Sequence, residues 1–161
     1  MQTTQFEDIE AEFLARVSAV VYCTFATVDR RNRPRLRLMH PIWEGSTGWV
    51  ISWPQSHKAR HLAHNSAVSL AYMPAPATPV YVDGTAAWID DRAEMQRVWE
   101  LHRATPPPLG FDPEPHYGSI DHHYFGLLRI IPWRIELGNL HGEPLIWRDP
   151  AASGPATVYT T

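Results

Sequence analysis

Apolar positions recur at two periods along this chain, and the change from one to the other divides it into elements. Phe6, Ile9, Phe13 and Val17 fall at helical spacing with acids between them, which predicts a short amphipathic opening helix whose early acids suit its dipole. Residues 19–28 then form a run rich in β-branched and aromatic side chains, read as a buried strand. Pro34 opens a second strand reaching about Trp43, followed by a third over 48–53, a fourth over 67–73 and a fifth over 80–89, where Gly84 marks a bulge. Between the third and fourth strands, Ser56 is a natural N-cap for a helix running to about His64. Asp90 or Asp91 caps another through Arg103, with Met95, Val98, Trp99 and His102 on one face. A loop over 105–117 carries five prolines and reads as irregular. Residues 125–137 make the sixth strand, interrupted, if anywhere, at Pro132. From residue 138 the chain reads as an extended arm, ordered only by docking.

Six strands on short turns with two or three small helices predict the α+β class, built on an antiparallel six-stranded β-barrel. The 161 residues suit one domain, and 44% hydrophobic against 19% charged residues is the balance of a globular chain. A net charge of −3 argues against general nucleic-acid binding. The single cysteine, Cys23, forms no internal disulfide, which suits a reducing cytoplasm. The acidic start has no basic leader region, and the longest mostly apolar stretch, 17–28, is about half the ~20 residues a membrane helix needs. Neither a G-x-G-x-x-G, a Gly-Lys P-loop nor a G-x-S-x-G elbow is present.

The chemistry concentrates between Arg33 and Tyr72. Strand alternation puts Arg33, Arg35 and Arg37 on one face. Ser52-Trp53 ends the third strand, and Ser56-His57-Lys58 then stands at a helix start, where unpaired N–H groups favour an anion. Ser56 adds a hydroxyl, Lys58 a compact charge, and Arg37 a bidentate fork, a set suited to phosphate. Lys58 is the only lysine among fourteen basic residues. His57, His61 and His64 share a helix face and read as a polar exposed surface rather than a metal site. Cys23, mid-strand, reads as a small buried filler. The seven tryptophans read mostly as core or interface, with Trp53 the one placed to touch a cofactor ring. No residue stands out as an obligatory acid or base.

The run Ser56-His57-Lys58-Ala59-Arg60-His61-Leu62, followed by Asn65 and Val68-Ser69-Leu70, resembles the S-x-K-x-x-x-L…N…V-S-L signature of the pyridoxamine 5′-phosphate oxidase-like, FMN-binding split-barrel family. Arg33-Pro34-Arg35-Leu36-Arg37 resembles its R-P-x-x-R segment, and residues 126–137 its last strand. The resemblance implies a split-barrel flavin-binding domain over 1–137 with a C-terminal arm over 138–161. It implies a homodimer with the cofactor at the interface and a small-molecule substrate. It also implies a phosphate held by Arg37, Ser56 and Lys58, with Leu38, Met39, Ser52, Trp53 and His57 beside the cofactor. FMN is the expected cofactor. Members using the deazaflavin F420 would give Arg33 and Arg35 an anionic tail to hold, and haem-associated members draw on the histidines. Residues 151–161 carry no basic side chain, unlike the basic C-terminal segment of the vitamin B6 oxidases themselves, which argues against that activity.

Overall fold

A computed structural model describes residues 1–152. A two-residue strand, β1 (Gln2–Thr3), leads through a 3₁₀ turn (Phe6–Asp8) into α1 (Glu10–Ser18). Next come β2 (Cys23–Val28), β3 (Pro34–Met39), β4 (Ile42–Glu44), β5 (Thr47–Ile51), α2 (His57–Leu62), β6 (Ala67–Tyr72) and β7 (Val80–Ile89). The chain continues through α3 (Arg92–Ala104), α4 (Glu114–Tyr117), β8 (Leu127–Leu137) and β9 (Leu145–Arg148). The class is α+β as expected, with an almost wholly antiparallel sheet, but the described residues form nine strands where the sequence predicts six.

The difference has identifiable causes. The second expected strand is divided at His40-Pro41, so its end becomes β4, which folds back on β5. β1 and β9 are too short to announce themselves and exist only by pairing with each other, in parallel, along the edge of β8. Part of the expected arm is therefore a docked strand. Its Trp147 is buried, lies 5.5 Å from the Phe6 ring and donates its indole N–H to the Thr4 carbonyl. The rest of that arm, 153–161, lies outside the described residues.

The sheet runs β1-β9-β8-β7-β6-β2-β3, and β5 joins β8 at the half that β9 leaves free. Eleven-residue β8 thus holds β7 along one edge and β5 and β9 along the other. It continues through Pro132 without interruption, because that residue stands opposite Gly84 where the β7–β8 register shifts. A Cβ added to Gly84 would lie 2.5 Å from the Ile131 carbonyl oxygen, so the bulge needs glycine there. Phe13, Phe25, Leu70, Val82, Leu128 and Ile135 fill the interior, with α1 closing one side. Val98, Trp99 and His102 are the buried face of α3, and Asp91 caps it by accepting from the Ala93 and Glu94 amides. No helix among the described residues is long and apolar enough to cross a membrane.

β3 is an open edge of the sheet. Its pairing with β2 places Arg35, Arg37 and Met39 on the interior side with Thr27, Phe25 and Cys23. Leu36 and Leu38 face outward at 68% and 70% exposure. An edge strand carrying exposed leucines is a surface made for covering.

Candidate functional site

The site grows where three elements meet. β3 brings Arg37 inward, β2 brings Thr27, and α2 packs on β2 with Lys58 and Leu62 buried and His61 set against Thr27. Trp53-Pro54-Gln55 leaves β5 and lets the chain turn into α2, where Ser56 has the extended backbone of an N-cap. The Ser56 hydroxyl caps nothing: it accepts instead from Lys58 Nζ at 3.1 Å. That contact separates the Ser-x-Lys pair from an ordinary helix start, in which serine would hold a first-turn amide.

Lys58 is buried, with 9% of its surface exposed. Burial first, and then the charge of Arg37, hold its ammonium below the usual lysine range. Burial likewise lowers half-buried Arg37. Neither cation has a carboxylate partner among the described residues. Arg37 donates from Nη1 to Thr27 Oγ1 at 2.8 Å. Burying unpaired charge is costly, and two cations so placed are stabilised by an anion from outside.

Arg33 and Arg35 are organised differently. Both reach Asp29, Arg33 at 2.9 Å and Arg35 at 3.3 Å. Asp29 also accepts the Arg31 and Arg33 amides. The hydrogen bond from the Arg33 side chain is the main reason its carboxyl lies far below the ordinary aspartate range. The three strand arginines share a face, but only Arg37 is left for a ligand.

The remaining expected residues fall at varied places. Met39 is in the core, and Leu38 points to the outer face, away from Arg37. Ser52 is buried, its amide held by the Gly126 carbonyl at 2.8 Å. Trp53 is 43% exposed and meets Tyr124 edge-on with ring centroids 5.3 Å apart. His57 is exposed at the head of α2. Cys23 is a buried filler, as the sequence suggests, with burial pushing its thiol up to about 12.

Sequence reasoning missed Thr27, His61 and Asp29. Thr27 was submerged in an apolar strand, and His61 in a row of imidazoles. The structure breaks that row: His57 and His64 are exposed, whereas His61 is half-buried with Nδ1 2.8 Å from Thr27 Oγ1. No three or more His, Cys, Asp or Glu side chains among the described residues cluster to hold a metal ion. A groove of about 310 Å³ at the opposite end of the sheet, lined by Met73, Pro79, Tyr81, Glu136 and Leu140, has no basic lining residue and is not the anion site.

Solved structures share this architecture. A protein of Clostridium acetobutylicum related to general stress protein 26 of Bacillus subtilis, of the pyridoxinephosphate oxidase family, is 16% identical. It superposes with a TM-score of 0.71 over 88% of this chain and 95% of its own. A nimC/nimA family protein from the same organism gives 0.70 at 15% identity, over 88% and 93%. HutZ, the haem storage protein of Vibrio cholerae, gives 0.62 at 19% identity, over 81% and 94%. At such identities the likeness speaks for the fold. No curated protein matches. Residues 9–110, which carry the β2–β3 face, the Ser-x-Lys turn and α2, match the pyridoxamine 5′-phosphate oxidase family over more than half of the chain, and the chain belongs to that family.

Proposed function

We propose that the protein is an FMN-binding oxidoreductase that holds the cofactor by its phosphate between Arg37, Ser56 and Lys58. The carrying observation is the pair of cations, Lys58 buried and Arg37 half-buried, with no carboxylate for either among the described residues. A phosphate dianion supplies the missing charge and accepts from both side chains and the Ser56 hydroxyl. FMN supplies hydride and electron chemistry when bound. The chain's own part is to fix the phosphate, orient the ring system near Ser52 and Trp53, and shield it. The open β3 edge with exposed Leu36 and Leu38, beside Arg37, supports a homodimer that completes the cofactor site. A cytoplasmic setting and a small-molecule substrate belong to the same reading.

The commitment of Arg33 and Arg35 to Asp29 favours FMN over F420, whose anionic tail needs free cations. A second reading, a flavin- or haem-binding stress module without turnover, draws support from the likeness to HutZ and to the stress-protein relative. The absorption spectrum of the isolated protein, followed by titration of the emptied protein with FMN, F420 and haem, tests all of these. Tight FMN binding with substrate-dependent reoxidation of the reduced cofactor supports the proposal. A preference for F420 overturns the FMN assignment. A Soret band, or bound flavin inert to every acceptor, moves the protein to the second reading.

A further inference from the structure

Thr27 Oγ1 receives the Arg37 Nη1–H and lies 2.8 Å from His61 Nδ1, so three side chains from β3, β2 and α2 form one hydrogen-bonded line. With His61 neutral and Nδ1 unprotonated, the line is directional: Arg37 donates to Thr27, and the Thr27 hydroxyl donates to His61. With His61 protonated the second bond reverses, because Nδ1 becomes a donor. Thr27 Oγ1 then accepts from both neighbours, and its own hydrogen is released for another acceptor. Thr27 is 1% exposed, so water does not readily serve. An anion gripped by Arg37 would supply that acceptor.

We infer that His61 is a positioning residue of the anion site, taking up a proton when a phosphate group docks between Arg37 and Lys58, so that anion affinity rises as pH falls. This rests on the phosphate reading above. The charges facing His61 support it. Burial above all, and then the cations Arg37 and Arg35 on β3 and His57 on the same helix, hold the His61 imidazole below its ordinary range, with Asp29 opposing. A dianion among them offsets those cations and favours the imidazolium. By reciprocity, whatever the anion does for the proton, the proton does for the anion.

The test measures anion binding from pH 8 to 5.5 with sulfate, whose charge is constant over that range, and with FMN by fluorescence. Wild type is expected to bind sulfate on the order of tenfold more tightly at the acid end, whereas FMN gains less because its own phosphate takes up a proton there. Calorimetry in buffers of different ionisation enthalpy should show fractional proton uptake near pH 6. His61→Asn, which keeps an acceptor at the Nδ1 position but cannot protonate, should bind with little pH dependence of its own and without that uptake. His61→Gln is the second variant should the first fold poorly, and exposed His64→Gln should behave as wild type. Uptake that survives in His61→Asn belongs to His57 or elsewhere and overturns the inference. Equal sulfate affinity at both ends of the range in wild type does the same. Wild type that binds neither sulfate nor FMN at any pH overturns the phosphate reading itself, a result that the pH slopes cannot produce.

Discussion

Replacing Lys58 with methionine keeps an unbranched apolar stem reaching as far as Cε and removes the charged Nζ. Lys58 Nζ has one partner, Ser56 Oγ at 3.1 Å, and is held deprotonation-prone by burial and by Arg37. The ammonium therefore costs stability in the empty protein and repays it when an anion arrives. Losing one charge-assisted contact weakens binding by about 1.5–3 kcal/mol, or roughly 10- to 150-fold in Kd for FMN. The same change should leave the empty protein as stable or raise its Tm by about 2–4 °C, the equivalent of roughly 1 kcal/mol in a domain of this size. Quenching of FMN fluorescence gives the first quantity, and thermal unfolding without ligand the second. Two results refute the reasoning. Unchanged FMN affinity would place the phosphate elsewhere, and a Tm lowered by several degrees would make Lys58 a structural contact rather than an unpaired charge.

The other predictions concern the surroundings. Arg33→Gln and Arg35→Gln should each leave FMN affinity within about twofold of wild type, because Asp29 already holds both side chains; a tenfold loss in titration would show that they reach the ligand. Leu38→Glu on the open β3 edge should yield a monomer by sedimentation, and a persistent dimer would place the interface elsewhere. Gly84→Ala forces a methyl group against the Ile131 carbonyl and should cost about 2 kcal/mol or more in urea unfolding, whereas a neutral change would mean that β8 yields easily. His102 is fully buried, and burial lowers its imidazole to about 4, so the folded state resists a proton that the unfolded chain takes up near 6.5. The stability it protects is complete above pH 6.5 and falls as pH drops toward 4, by about 2–3 kcal/mol. Unfolding of wild type at pH 7 and 4.5 should show this loss, and His102→Gln should lack it.

What the chain disclosed in advance was local. β7 runs over the expected residues, Asp91 caps α3, Gly84 sits at the bulge, and the Ser-x-Lys turn stands where a helix begins. Each has a signature within a few positions: alternation, a side-chain acceptor before a helix, a glycine inside a strand, an unusual lysine. The features that stayed hidden depend on distant partners. Nothing local marks Asp29, and only the β2–β3 hairpin brings Arg33 and Arg35 onto it. Thr27 is one more β-branched residue until α2 sets His61 against it. β9 is four residues long and becomes a strand through pairing with β8 and the chain's own beginning. Leu38 faces away from Arg37 because strand alternation sends neighbours to opposite sides.

The central claim is that this protein grips its flavin by the phosphate. Riboflavin has the same ring system without that group, so the ratio of riboflavin to FMN dissociation constants, measured on the emptied protein at fixed pH and salt, isolates the grip. Two charge-assisted contacts predict FMN binding at least about 100-fold more tightly, with Lys58→Met removing much of the difference. Equal affinity for the two flavins, unchanged by Lys58→Met, would contradict the account.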